Sequence, residues 1–162
     1  HVVENNRLDG NIQRGIQLLY TDRSRVSGNV VYDTGAGGGS VIGIYAFADV
    51  IDNVVDGVTC DLSPCNVVGI AASGSFTLVR GNRVRGLVRG SGIGVARGIG
   101  ISGSGKRVEG NFVSAAVLTP GYGIEYEGAP PTTMPECRDN TVFNFDSGIE
   151  ATCTGGGNLA SP

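Results

Sequence analysis

One short motif returns six times along this chain with its residues in the same order. It reads apolar-x-(Gly/Asp/Asn)-Asn-x-apolar, as in Val50-Ile51-Asp52-Asn53-Val54-Val55 and Val79-Arg80-Gly81-Asn82-Arg83-Val84. Its asparagines are Asn6, Asn29, Asn53, Asn82, Asn111 and Asn140, spaced by 23, 24, 29, 29 and 29 residues. A Gly-Ile doublet interleaves with it, at Gly15-Ile16, Gly43-Ile44, Gly69-Ile70, Gly98-Ile99, Gly123-Ile124 and Gly148-Ile149. Two markers that alternate with a period of roughly 20–50 residues describe one structural unit repeated along an axis.

A single unit of this kind has no way to bury its apolar face, whereas stacked units share a continuous column of Val and Ile. Stacking each strand on its equivalent one repeat later makes the sheets parallel, with neighbours roughly 4.8 Å apart. Composition agrees: 28 Gly, no Trp, one Met and an apolar fraction rich in Val and Ile disfavour helix and favour short strands with tight turns. The expectation is an all-β parallel β-helix of about six coils, a single domain over residues 1–162 and a rod on the order of 29 Å long. Asn at each corner is expected to adopt the left-handed backbone and to bond to its equivalents in a ladder. Period-two alternation turns Ile16 and Leu18, Ile44 and Ala46, Ile70 and Ala72, and Ile99 and Ile101 inward, with Ile124, Tyr126, Ile149 and Ala151 following.

The Gly-Asn-x-Val corners and Gly-Ile strands resemble the right-handed parallel β-helix repeats of the pectate-lyase-like superfamily, from Val3 to about Cys153. The resemblance implies a right-handed, single-stranded helix with a substrate groove along the Gly-Ile sheet. It implies no one activity, because relatives include polysaccharide lyases, galacturonan hydrolases, uronate epimerases, phage tailspikes and non-catalytic carbohydrate-associated proteins. The hydrolase signatures Asn-Thr-Asp, Asp-Asp, Gly-His-Asp and Arg-Ile-Lys are missing here, as is the epimerase signature Asp-Pro-His-Glu. The sole histidine is His1, which argues against histidine acid–base catalysis. Whether the protein is an enzyme is left open by these residues.

Cys60, Cys65, Cys137 and Cys153 permit three pairings. Cys60 and Cys65 bracket the turn-forming Asp-Leu-Ser-Pro, which suits a small loop disulfide and leaves Cys137 with Cys153. Cys137 also falls on a core-facing register, where a buried thiol is the alternative. Paired cysteines imply an oxidising compartment, secreted or at the cell surface. No stretch approaches 18 apolar residues, so no membrane span is expected. Net charge is −3 and the pI about 5.0, which argues against nucleic acid as a partner. The basic residues between Arg80 and Arg107 read as a solvated strip on one side of a sheet. Starting at His1 without an initiator Met, the chain reads as a segment processed or excised from something longer.

The connections from Asn corner to Gly-Ile strand span 9, 14, 16, 16, 12 and 8 residues, longest in the middle coils. Beside the Gly column the outward residues are Gln17, Tyr45, Ala71, Gly100, Glu125 and Glu150. The glycines themselves either floor a groove or merely let the chain turn. Arg14 and Arg97 precede Gly-Ile strands, and Tyr45 and Tyr122 lie near the same face. Guanidinium forks match the carboxylates of a uronate polymer, and Tyr can stack on a sugar ring. Arg14, Gln17, Tyr45, Arg97, Tyr122, Glu125 and Glu150 are therefore the candidate substrate-binding residues. Arg97 and Lys106 are candidates to neutralise a uronate in a lyase reaction. Glu125 and Glu150, on adjacent coils, either splay, share a proton or hold a cation such as Ca²⁺. Gly35-Ala36-Gly37-Gly38-Gly39-Ser40 lacks the Lys-Ser/Thr ending of a phosphate loop and reads as a flexible turn.

These features favour an extracellular carbohydrate-associated protein that binds, or acts on, an acidic polysaccharide. The alternative is structural: with no amphipathic capping helix at either end, the rod is a shaft or filament subunit stacking end to end through open β-helix ends.

Overall fold

Equivalent positions of the repeat lie side by side on neighbouring parallel strands, and that stacking generates three walls. The computed structural model describes residues 1–19, 23–36, 39–62, 64–90 and 93–162. The first wall holds β1 (Val2–Glu4), β4 (Arg25–Ser27), β7 (Asp49–Ile51), β10 (Leu78–Arg80), β13 (Arg107–Glu109) and β15 (Glu136–Arg138). The second holds β2 (Arg7–Leu8), β5 (Val30–Ala36), β8 (Val54–Cys60), β11 (Arg83–Arg89), the leading parts of β14 (Phe112–Tyr126) and β16 (Thr141–Ile149), and β17 (Leu159–Ser161). The third holds β3 (Arg14–Leu18), β6 (Gly39–Ala46), β9 (Cys65–Ala72), β12 (Ala96–Ile101) and the trailing parts of β14 and β16. The chain is a parallel β-solenoid of about five turns, all-β and without a helix among the described residues. The expected six coils correspond to the six strands of the first wall, which five turns separate. Among the described residues no helix is long and apolar enough to cross a membrane.

Three aliphatic stacks fill the interior. Val26, Val50, Val79, Val108 and Cys137 stack behind the first wall. Val31, Val55, Val84, Val113 and Val142 stack behind the second. Ile16, Ile44, Ile70, Ile99 and Ile124 stack behind the third. All are buried, most of them completely, and each such side chain stabilises the fold by roughly 1.5–3 kcal/mol through its removal from water. Ala151, expected to continue the third stack, is exposed because β16 stops at Ile149 and the chain turns away.

The Gly of each Gly-Ile doublet neither floors an outer groove nor supplies a left-handed turn, since none of the six has positive φ. It faces inward. A Cβ at Gly15, Gly43, Gly69, Gly98 or Gly123 would overlap the γ carbon of Val31, Val55, Val84, Val113 or Val142, and would crowd the next coil's glycine carbonyl. Alternation breaks at this point: Arg14 faces out, while Gly15 and Ile16 both face in. The absent side chain leaves room for the valines of the second wall to interlock with the third.

Asparagines run through the corner between the first and second walls. Each Nδ2 donates to the Oδ1 of the next: Asn6 to Asn29, then Asn53, Asn82, Asn111 and Asn140, at 2.9–3.0 Å. A seventh rung, Asn158, extends the series at 3.0 Å. The leading apolar residue of the motif is missing before Gly157-Asn158, and this copy escapes the pattern. The second Nδ2 hydrogen goes to a carbonyl of the preceding coil, Asn82 to Val50 at 2.8 Å and Asn111 to Val79 at 3.0 Å. From Asn29 onward each Oδ1 also accepts a backbone N–H, as Asn82 does from Asn53 at 3.0 Å. Both amide hydrogens and both oxygen lone pairs are satisfied, which is what makes a buried Asn tolerable. The left-handed residue is not this Asn but the one before it: Asn5, Gly28, Asp52, Gly81, Gly110, Asp139 and Gly157 all have positive φ. The motif's Gly/Asp/Asn position exists for that reason.

Cys60 and Cys65 pair across the corner between β8 and β9, with Cα atoms 6.3 Å apart. Cys137 and Cys153 pair at 5.4 Å and join β15 to the segment after β16. Ser63 in the first loop and Gly37-Gly38 in the glycine-rich turn lie outside the described residues. The basic run from Arg80 to Arg107 forms no strip. A stretch of about one repeat winds once around the rod, so Arg80, Arg85 and Arg97 decorate the first, second and third walls respectively.

Replacing Asn82 by Leu strands the donors of Asn53 and the acceptors at Asn111 and Val50, and should cost roughly 2–6 kcal/mol in denaturant unfolding. Gly98→Ala should cost roughly 1–3 kcal/mol by overpacking against Val113; an unchanged midpoint would contradict the interlock.

Candidate functional site

The exterior of the third wall carries two rows of side chains in register. Arg14, Ile42, Val68, Arg97 and Tyr122 form one, and Gln17, Tyr45, Ala71, Gly100 and Glu125 form the other. Successive members are one strand spacing apart, roughly 4.8 Å. In the middle of this lattice Ile42, Val68 and Ala71 make a small apolar cluster outside the core, with Tyr45 packed against it. They are only 8 %, 4 % and 8 % exposed although they face outward. Larger side chains on either side shelter them, and the resulting groove encloses about 350 Å³.

Arg14 and Tyr45 form one end. The Arg14 guanidinium donates to Gln17 Oε1 at 2.7 Å and lies 5.3 Å from the Tyr45 ring centroid. That cation–π contact and the fork to Gln17 hold the group at the groove's edge with donors to spare. Arg97 forms the other end, and it is already engaged. Its Nε meets the carboxylates of Glu125 and, at 3.1 Å, Glu127. Gly100 makes this possible, because a Cβ there would crowd Glu127 Oε1. Glu127 has its pKa raised, first by burial and further by Glu125, while Arg97 pulls it the other way. With both carboxylates ionised this end carries a net negative charge, whereas the Arg14 end is positive.

The structure therefore brings Arg14, Gln17 and Tyr45 together, and Arg97 with Glu125. Tyr122 sits beside Arg97 in register but does not line the groove. Glu150 turns elsewhere, its Oε2 accepting the Tyr126 N–H at 2.6 Å. Glu125 and Glu150 thus serve different partners, and joint coordination of Ca²⁺ would require both to let go. Among the described residues no cluster of three or more His, Cys, Asp or Glu is placed to hold a metal, where Ca²⁺ takes about six to eight oxygens. Lining residues that sequence reasoning missed are Ser40, Ile42, Asn66, Val68 and Glu127. Glu127 had a signal, two residues beyond Glu125 on the same face. Ile42 and Val68 had none, because apolar residues beside a Gly-Ile doublet read as core.

Lys106 does not serve this groove. It is 1 % exposed on the inward side of the corner between the third and first walls, with Nζ donating to Thr77 Oγ1. Burial lowers its pKa to about 8 against the opposing pull of Asp49.

Compared with known families, curated proteins and solved structures, the chain gives no match.

The buried lysine has a pH signature. The folded pKa of about 8 lies below the ordinary 10.5, so between those values the unfolded chain binds a proton that the folded chain has released. Stability should rise with pH through that window and show no Lys106 contribution to the slope below it. Lys106→Met should flatten the rise in denaturant unfolding with the disulfides kept oxidised; an equal slope in both proteins would contradict the assignment.

Proposed function

We propose that the protein is an extracellular carbohydrate-binding β-helix that holds an acidic polysaccharide in the third-wall groove. The observation that carries this reading is the Arg14–Tyr45 pair standing over the sheltered apolar floor of Ile42, Val68 and Ala71. A pyranose ring has an apolar face of C–H groups that suits such a floor and a tyrosine ring. A uronate carboxylate suits a guanidinium fork. The strand lattice fixes the backbones that carry these groups, which lowers the ordering cost of binding. The two cysteine pairs favour an oxidising compartment, and the repeat's resemblance to the pectate-lyase-like superfamily favours a saccharide ligand.

The reading is for binding. Of the two candidates to neutralise a uronate in a lyase reaction, Arg97 is engaged by two carboxylates and Lys106 is buried away from the groove. The charge gradient orients the ligand: its carboxylate goes to Arg14 and a neutral part of the chain faces Glu127.

Calorimetric titration with galacturonate and alginate oligomers tests this. Arg14→Gln and Tyr45→Ala should each weaken binding about tenfold, or ~1.4 kcal/mol. Glu127→Gln, which removes a negative charge beside the groove, should strengthen it. Failure of the unaltered protein to bind either oligomer would overturn the proposal, as would release of unsaturated uronates for its restriction to binding.

A further inference from the structure

A larger cavity of about 990 Å³ opens at the corner between the third and first walls. Its floor is polar. Asp49 accepts the Leu78 N–H at 2.8 Å, Ser24 is 3 % exposed, and Thr77 receives Lys106 from behind. Its sides are Phe47 and Phe76, and its rim carries Arg23 and Arg25. The Phe47 ring stands edge-on to Tyr45 at 5.7 Å, so the cavity adjoins the groove while sharing none of its lining residues.

Backbone strain singles this corner out. Among the described residues eight non-glycine positions have positive φ, and six are Asn, Asp or Gln. The other two are Arg23 (φ 55°) and Phe76 (φ 57°), and both line this cavity. A left-handed conformation costs a residue with a bulky side chain about 1–2 kcal/mol, and no local hydrogen-bonding side chain offsets that cost for Phe. The surroundings nevertheless hold Phe76 in place. Its N–H donates to Ser104 O at 2.8 Å, and its ring lies over Gly105, where a Cβ would sit 2.6 Å from Cδ1 and Cε1. Phe76 is nevertheless 79 % exposed. An apolar residue left open to water on a left-handed backbone, beside a second aromatic ring and two arginines, is an outlier that points to a ligand.

We propose that this corner is a second saccharide site, for an anionic pyranose whose ring stacks between Phe47 and Phe76 and whose carboxylate or sulfate meets Arg23 and Arg25. The two rings supply apolar faces, Asp49 and Thr77 face the sugar hydroxyls, and among the described lining residues Arg23 and Arg25 outnumber the one carboxylate, Asp49. Arg25 also reaches Glu4 at 3.4 Å, an exposed pair that is weak. The site shares its ligand class with the groove but stands or falls separately.

Amide chemical-shift mapping with a galacturonate oligomer and, separately, a sulfated heparin-derived oligomer tests the assignment and distinguishes carboxylate from sulfate. Shifts at Ser75 and Thr77 that persist in Arg14→Gln/Tyr45→Ala protein are expected for the favoured oligomer. Shifts confined to Ser40 and Tyr45 would overturn the corner site and leave the groove standing; shifts at neither place with both oligomers would overturn both. Phe76→Ala and Arg23→Gln should each weaken corner binding about tenfold. Phe76→Asn provides a readout that a structural role would not produce. Asn tolerates the left-handed backbone, so the denaturation midpoint should rise while corner binding falls. A lowered midpoint with binding retained would overturn the proposal.

Discussion

The amide series from Asn6 to Asn158 sets the terms for everything else in this rod. Each side chain joins two coils by bonds that only an equivalent Asn supplies, and the five from Asn29 to Asn140 do so away from water, where an unpartnered amide is expensive. A strand displaced by one residue would break two rungs at once and turn its apolar positions outward. Coils of unequal length are thereby held in one register. The 23-residue and 29-residue repeats differ in their connections and not in their walls.

The interlock of valines with the inward glycines depends on that register. So does the groove. Arg14, Ile42, Val68 and Arg97 come from four separate turns, and they align only because the corner behind each strand is fixed. Both candidate sites lie where the repeat departs from its own rule. Ile42 and Val68 put apolar side chains on the outer face, Gly100 removes one to admit Glu127, and Arg23 and Phe76 occupy backbone conformations that Asn, Asp and Gly occupy elsewhere. A regular solenoid satisfies local and global preferences together, so the exceptions mark positions with another task.

Charge follows winding. A segment of one repeat visits all three walls, and neighbours along the chain become strangers in space. Arg97 meets Glu125 and Glu127 from the next turn, while Lys106, nine residues after Arg97, is buried at a different corner. Reading Arg80 to Arg107 as one basic strip fails for this reason, and so does placing Lys106 beside a sugar.

What the sequence by itself determined was the winding: the rungs, the parallel walls, the inward Val and Ile stacks and the outward order Gln17, Tyr45, Ala71, Gly100, Glu125. Those follow from residue identity recurring at a period, and periodicity is a property of the chain alone. Only the tertiary structure decided that the Gly of each doublet turns inward, that the left-handed residue precedes the Asn, that Cys137 pairs with Cys153, and that Ile42 and Val68 floor a groove instead of joining the core. It also decided which carboxylate answers which cation. These depend on the sense of a local break in alternation and on the width of each corner, which are settled by contacts between turns and leave no trace in the spacing along one.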